Sequence, residues 1–313
     1  MIDFRYHLVS LIAVFLAVAL GIVIGTTQLN GTVLDGLNAQ VGTLTDQKNE
    51  LETEADRLAE ELSQNDAYDE STAPLIVANR LVGSSVLVIV TNEDVSAEIV
   101  GQTATLLSAA GAQMAGTLRL QPSFTDPQTG PGLQEYVTGP GLPPGVTLPQ
   151  TDDTATLVAS LMSQVLMRPA DGARAPEATA TSTVLAGLAG LGVVTSDSGE
   201  PESADYVLFL TAGGFTGEDS QTRNQALVAL AGAMDAAGSG GVVAGDAASA
   251  AAAGLVEAVR ADPVTATSVS TVNNVETAAG RVAALLALTA ERNGQTGHYG
   301  VGEDTVPLPP LVS

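Results

Sequence analysis

The 313-residue chain has 35 acidic side chains against 11 basic ones, and its formal net charge is −24. This length allows one or two domains. The acidity argues against binding to nucleic acid, whose phosphates would be repelled, and against docking on anionic lipid other than through an anchor. With no cysteine and only two histidines, the chain can form no disulfide or thiolate metal site, and a site of several histidines is nearly excluded.

An uncharged N-terminal segment is the first element along the chain. No charged side chain lies between Leu8 and Leu34, and a helix needs roughly 20 mostly apolar residues to cross a bilayer. Residues 1–29 therefore predict a short cytoplasmic tip and a single transmembrane helix. Arg5 precedes the segment and the next basic residue is Lys48, so the positive-inside tendency places the N-terminus in the cytoplasm and the rest outside the cell membrane.

A cleaved signal peptide is the competing interpretation of this segment. Ala17 to Ala19 resembles a cleavage site of small residues, but the apolar stretch continues past it to Ile24. An uncleaved anchor is therefore favoured. A buried core helix is the third option, although no amphipathic face is visible.

A heptad repeat over residues 30–66 predicts a coiled-coil stalk. Its leucines recur every seven residues, which is typical of the d position of a coiled coil. Lys48 at an a position would weaken the core but favour a two-stranded homodimer in fixed register. The alternative is one helix that packs on its own globular domain, and in either case Asn65 to Pro74 is predicted to break the helix. The predicted interface comprises Leu34, Leu37, Val41, Leu44, Lys48, Leu51, Ala55, Leu58 and Leu62.

An extracytoplasmic α/β domain is predicted over residues 67–292. Ser85 to Thr91 is a continuous apolar, β-branched segment, as expected of a strand buried on both faces. A helical pattern and a second strand, 113–120, follow it. Strands alternating with helices indicate a Rossmann-like, mostly parallel sheet. Further strand patterns lie at 205–211, 241–244 and 265–270, and helical patterns at about 152–167, 181–190, 219–237, 247–260 and 275–292.

Three stretches lack a clear period. Residues 122–150 are rich in proline and glycine, and predict a long surface excursion of low order, with a partner-binding loop as the alternative. Residues 169–181 predict a small disordered connector. Residues 293–313 predict a flexible tail.

Candidate chemistry lies where the predicted strands end, because open α/β sheets bind ligands there. The glycine-rich segment 213–217 follows a strand and precedes a helix, which is the context of a phosphate-cradling turn. It lacks the full Gly-x-Gly-x-x-Gly spacing and has no basic residue nearby before Arg223. Asp246 with Glu93 or Asp94 could form a carboxylate pair, although acidic residues usually lie on solvated surfaces.

No Ser-His-Asp arrangement is credible, because His7 lies at the membrane and His298 in the tail. The scattered methionines are interpreted as core residues rather than a copper path, and they are Met114, Met162, Met167 and Met234. We therefore predict a protein that is not an enzyme and assign no catalytic, cofactor or metal-binding residue.

Three segments, one at the N-terminus and two near the C-terminus, carry a resemblance to a known family. The N-terminal sequence MIDFRYHLVSLIAVFLAVALGIVIG, the segment VSTVNNVETAAGR at 269–281 and Gly297-His-Tyr-Gly300 resemble the actinobacterial MctB-like proteins, usually labelled copper transporters. The resemblance implies one of two roles. One branch is associated with copper tolerance and described as an outer-membrane channel. The other, SteB-like, is associated with cell separation, where a membrane protein partners a SteA-like protein to control peptidoglycan hydrolysis.

The residues favour the second branch. A pore needs several helices or a closed barrel, whereas one membrane helix and buried strands are predicted here. A copper conduit needs soft ligands, and cysteine is absent. The hypothesis is a homodimeric envelope scaffold that partners a SteA-like protein and a peptidoglycan hydrolase. The alternatives are a copper transport or homeostasis protein and a nucleotide-binding or enzymatic module.

Overall fold

A computed structural model describes residues 4–197 and 199–310; for residues 4, 5 and 26–34 it describes the backbone but not the side chains. Leu34 of the predicted interface is therefore outside the described side chains. The chain divides into two units, residues 1–65 and 66–313. We call the second unit the head.

The N-terminal helix α1 spans Phe4–Val77. Its segment Tyr6–Gly25 has a mean hydropathy of 2.9 and no buried residue. Among the described residues it is the one helix long and apolar enough to cross a membrane. The predicted apolar membrane-length helix is thus confirmed.

In the single chain, the described side chains at the heptad positions of α1 are exposed to solvent. Lys48 forms an ion pair of 2.8 Å with Glu52 on its own helix, and Ala55 is exposed. The coiled coil itself stays a prediction. The large apolar members are between 45 and 71% exposed, and they are Leu37, Val41, Leu44, Leu51, Leu58 and Leu62.

The predicted break at Asn65 to Pro74 is wrong, because α1 continues through it to Val77. Ala73 and Val77 are buried in the core of the head. Burial of these side chains offsets the hydrogen bond that Pro74 cannot donate within the helix.

The head is built on one seven-stranded sheet. Its strands are β1 (Ser85–Val90), β2 (Gln113–Leu120), β3 (Val194–Ser196), β4 (Tyr206–Thr211), β5 (Gly241–Gly245), β6 (Ser270–Val272) and β7 (His298–Tyr299). The spatial order is β3-β2-β1-β4-β5-β6-β7. All neighbours are parallel except β3, which pairs antiparallel with β2. The predicted mostly parallel α/β sheet is confirmed, whereas β3 and β7 were not predicted.

Helices cover the sheet on both faces. They are α2 (Ala97–Ala109), α3 (Gly130–Thr138), α4 (Thr154–Leu166), α5 (Ala178–Gly190), α6 (Ser220–Ala237), α7 (Leu255–Ala261), α8 (Thr265–Ser268) and α9 (Ala278–Glu291). Short 3-10 turns span Pro122–Phe124, Pro127–Thr129 and Ala248–Ala250.

The residues of β1 alternate between two cores, as side chains of a strand must. Leu87 and Ile89 point to a core shared with α4 and α6. Val86 and Val88 point to a core shared with α2, α9 and the end of α1. Every residue of β1, β4 and β5 is buried, which explains their continuous apolar sequences.

The low order expected for residues 122–150 does not hold throughout. Proline in the first turn is pre-organised for a helix, and α3 begins in this way. The buried side chains of Phe124, Leu133 and Val137 join the core that contains α4. This stretch is therefore partly a packed layer of the head.

Three other boundaries differ from the predictions. The expected strand at 265–270 begins as α8, because Asp262 Oδ1 accepts the N–H groups of Val264 and Thr265 at 3.0 and 2.9 Å. Helix α5 begins inside the predicted connector. The helix predicted over 247–260 is divided, since Ala253 has a φ of 69°.

The tail is not flexible throughout. Tyr299 is buried in β7, and the backbone N–H of Val306 donates to the carbonyl of His298 at 3.0 Å. This bond fixes the segment against β7, which itself pairs with β6.

Two carboxyl groups, the buried Glu291 and the half-buried Asp235, lie near the start of β5 and β6. Glu291 is 8% exposed and accepts a hydrogen bond from Ser270 Oγ. Burial raises the pKa of Glu291 to about 7, and nearby Asp235 adds to the rise. Burial likewise raises the pKa of Asp235 to about 6.

We predict that Glu291→Gln makes the free energy of unfolding of the head less dependent on pH. The carboxyl group holds its proton more tightly in the folded chain, so its contribution to stability is complete below about pH 4 and is lost as pH rises to about 7. Urea unfolding across this range should show a free energy of unfolding that falls for the wild type relative to the variant, by roughly 2–3 kcal/mol. In the control variant Glu303→Gln, which changes an exposed carboxyl group, the free energy of unfolding should depend on pH as it does in the wild type. Identical slopes for Glu291→Gln and the wild type would contradict the assignment.

Candidate functional site: the carboxyl edge of the sheet

The carboxyl ends of the parallel strands meet at one edge of the sheet, which we call the carboxyl edge. Strand order reverses between β1 and β4, because β1 is followed by β2 on one side and β4 by β5 on the other. Helices α2 and α6 accordingly cover opposite faces. Such a switch point is where open α/β sheets bind ligands.

Hydrogen bonds close the switch point. The amide of Asn92, after β1, donates to the carbonyl of Ala212, after β4, at 2.6 Å. Gly213 has a φ of 65°, a left-handed conformation that glycine adopts readily. Its N–H donates to both carboxylate oxygens of Asp246, at 2.9 and 3.1 Å.

The glycine-rich turn at 213–217 is tied to the chain before α7. Gly214 forms an antiparallel bridge with Gly254, and the N–H of Phe215 donates to the carbonyl of Ala253 at 3.0 Å. Arg223 lies over the ring of Phe215, 5.6 Å from its centroid. A phosphate cradle needs free backbone N–H groups, and those of Gly213 and Phe215 are occupied. The geometry does not favour a nucleotide at this turn.

The predicted carboxylate pair also has a different arrangement. Asp246 accepts N–H groups from Gly213 and, at 2.8 Å, from Ser249, so its carboxylate holds two loops together. Glu93 and Asp94 are exposed. Asp246 therefore has a structural role in this arrangement.

A second part of the carboxyl edge is open. A cavity of about 720 Å³ lies beyond β5, β6 and β7, and we call it the β6–β7 cavity. Arg260 of α7 lines it, with Nε donating to Thr271 Oγ1 at 2.8 Å and Nη2 to the carbonyl of Tyr299 at 3.3 Å. His298 Nδ1 lies 2.9 Å from the same hydroxyl. Burial lowers the pKa of His298, and the charge of Arg260 lowers it further.

The segments that carry the family resemblance build this part of the edge. Asn273 and Val301 exchange two hydrogen bonds of 2.8 Å. A Cβ at Gly300 would lie 1.8 Å from Asn273 Oδ1, and one at Gly280 would lie 1.8 Å from the carbonyl oxygen of Asn274. Sequence reasoning singled out these segments only by likeness and missed Arg260, which belongs to no motif.

The N-terminus of α9 is held by the last turns of α1. Asp66 Oδ1 accepts the N–H of Ala278 at 2.6 Å. Arg281 is 2% exposed and donates to the carbonyl of Glu276 at 2.9 Å, while its Nη2 lies 3.5 Å from Glu70 Oε1. The carboxyl edge and the head portion of α1 are thus directly bonded.

The described side chains offer few ligands for a metal ion. Met162, Met167 and Met234 are buried in one core, in agreement with their interpretation as core residues. The same interpretation is wrong for Met114, whose side chain is 37% exposed. Within the described ranges, no three His, Cys, Asp or Glu side chains are grouped to hold a metal ion.

Comparison with known proteins identifies the family. Residues 1–310 match the family described as "Copper transport outer membrane protein, MctB". The chain is 32% identical over 312 residues to proteins named Copper transporter MctB of Mycobacterium tuberculosis and Mycobacterium bovis, covering 96% of this chain and 97% of theirs. It is likewise 32% identical over 309 residues to that of Mycobacterium leprae, with the same coverage. The chain therefore belongs to the MctB family.

Proposed function

We propose that the protein takes part in copper handling at the cell envelope as a membrane-anchored protein. The similarity to proteins named copper transporters, over nearly the whole length of both chains, carries this proposal. The cell-separation role, which the residues alone favour, has no comparable support from the relatives. Copper handling, which was the alternative, becomes the first candidate.

The form of the protein suggests how it would contribute. A single helix encloses no pore, because a membrane pore needs several helices or a closed barrel. The central strands are covered by helices on both faces and therefore do not face lipid. Conduction would need several copies or another protein, and copper(I) would meet no cysteine thiolate in this chain. We therefore favour an accessory role in copper tolerance.

The proposed topology places Phe4 on the cytoplasmic side and the head outside the cell membrane. Arg5 is the basic residue beside the apolar segment, and Lys48 is the first one after it. This asymmetry supports the orientation by the positive-inside tendency.

We also propose that two copies pair through α1. Leu44 and Leu51 are among the exposed large apolar side chains that recur at heptad spacing. Burying such leucines in a two-stranded interface would gain roughly 1.5–3 kcal/mol for each side chain that becomes fully buried.

A SteB-like envelope regulator remains the second candidate. The exposed heptad positions of α1 and its bonds to α9 through Asp66 and Glu70 suit a protein that passes a signal from a stalk to its head. In this candidate the head contacts a SteA-like protein and thereby affects a peptidoglycan hydrolase.

A deletion strain should separate the two candidates. We expect loss of the gene to lower copper tolerance while daughter cells separate normally, with tolerance restored by the full-length chain. Growth across a copper series and microscopy of the same cultures give the two readouts. Chained cells with normal copper tolerance would instead favour the envelope regulator and reject the copper proposal.

We predict that Leu44→Glu combined with Leu51→Glu yields a monomer. Two added carboxylates at the d positions would place like charges inside the interface. Sedimentation of the full chain in detergent should show a protein mass that falls by half. Ala39→Glu combined with Thr53→Glu adds the same charge to the opposite side of the helix and should leave the mass of a dimer unchanged. A wild-type monomer, or an unchanged dimer in the leucine variant, would contradict the proposed interface.

A further inference from the structure

The β6–β7 cavity is the open part of the carboxyl edge. Its volume, about 720 Å³, falls within the roughly 300–1,000 Å³ typical of ligand pockets. It lies beside the closed switch point, between α7, the N-terminus of α9 and segment 301–304. Its position is one where parallel sheets bind ligands, and copper handling assigns it no role.

Arg260 supplies an unpaired positive charge to this cavity. Its guanidinium donates to a hydroxyl and a backbone carbonyl, Thr271 and Tyr299, both of which are neutral. Among the described side chains, no carboxylate lies within salt-bridge distance of it. Burial lowers the pKa of Arg260, and Glu257 only partly opposes this. A half-buried cation that no carboxylate contacts directly is stabilised by an anion that binds beside it.

Carboxylates supply the opposite charge around the same cavity. Glu257, Glu276, Glu303 and Asp304 all line it. None of them forms an ion pair with a basic side chain in the part of the chain that the structure describes. Burial raises the pKa of Glu276, as does the charge of Asp246, which a bound cation would reverse.

The positive charge of Arg260 and the negative charge of the four carboxylates together restrict the class of ligand that the cavity can bind. Four carboxylates would repel a nucleotide or free phosphate. A simple cation would leave the guanidinium of Arg260 without a counterion. A molecule that carries a carboxylate at one end and an ammonium group at the other satisfies both sets of groups.

We propose that the β6–β7 cavity binds a zwitterionic ligand of the amino-acid or short-peptide class. The ligand carboxylate lies against Arg260, and its ammonium group faces the carboxylates of Glu276, Glu303 and Asp304. His298, held by Thr271, also lines the cavity. This inference goes beyond copper handling, because it gives the head a recognition site of its own.

Trialanine, which carries both charges, is the probe for this site. Calorimetric titration of the full chain in detergent should show saturable binding. N-acetyl-trialanine and trialanine amide each lack one charge, and each should bind at least about tenfold more weakly. No saturable binding of trialanine to the folded protein, or equal binding of the blocked peptides, would overturn the proposal.

Variants assign the two ends of the ligand. Arg260→Gln should bind trialanine and its amide equally, because the group that recognises the carboxylate is gone. Glu276→Gln should reduce the difference in binding affinity between trialanine and its N-acetyl form. Arg174→Gln, outside the cavity, should behave as wild type. Unchanged discrimination by both cavity variants would overturn the assignment.

A conservative variant separates recognition from folding. Arg260→Lys keeps the positive charge but cannot reproduce both hydrogen bonds of the guanidinium. If it folds as Arg260→Gln does but still prefers the free carboxylate, the charge is the recognised feature. Loss of that preference in a folded Arg260→Lys protein would count against the proposal. Because the titration contains no copper, failure here leaves the proposed copper role unaffected.

Discussion

The burial of β1, β4 and β5 on both faces is the constraint on which the rest of the head depends. Strands of this kind leave no face for solvent, so two layers of helices must cover them. One layer contains α4 and α6, while the other combines α2 and α9 with the last turns of α1. Helix α1 therefore continues past Asn65, because its end completes a layer that the sheet requires.

The same architecture divides the carboxyl edge into a closed part and an open part. At the switch point, Asp246 and Gly213 bond to each other, and this contact occupies the groups that a phosphate would use. Farther along, the shorter strands β6 and β7 leave space that Arg260 and several carboxylates line. The fold thus keeps an open space at this edge of the sheet, while the usual ligand position is filled by its own loops.

Sequence patterns predicted the elements that local composition determines. The apolar segments of β1 and β4 and the membrane-length helix were readable, because burial or lipid contact requires such residues at every position. β3 and β7 were not, since two or three residues carry no period. α3 was not predicted, because its segment is rich in proline and glycine, which are typical of loops. At the candidate site, the position of the 213–217 turn was predicted, but its partner Asp246 lies 33 residues away and no local pattern reports that bond. Arg260 resembled any surface arginine of a helix.

The absent side chains at Gly280 and Gly300 bear on what the likeness to the family means. Any larger residue there would collide with the backbone of Asn274 or the amide of Asn273, whatever the protein does. The sequence around these glycines is therefore constrained by the packing of β6, β7 and α9. A relative that shares these glycines shares the construction of this edge, and that likeness alone does not fix which side chains face the open space.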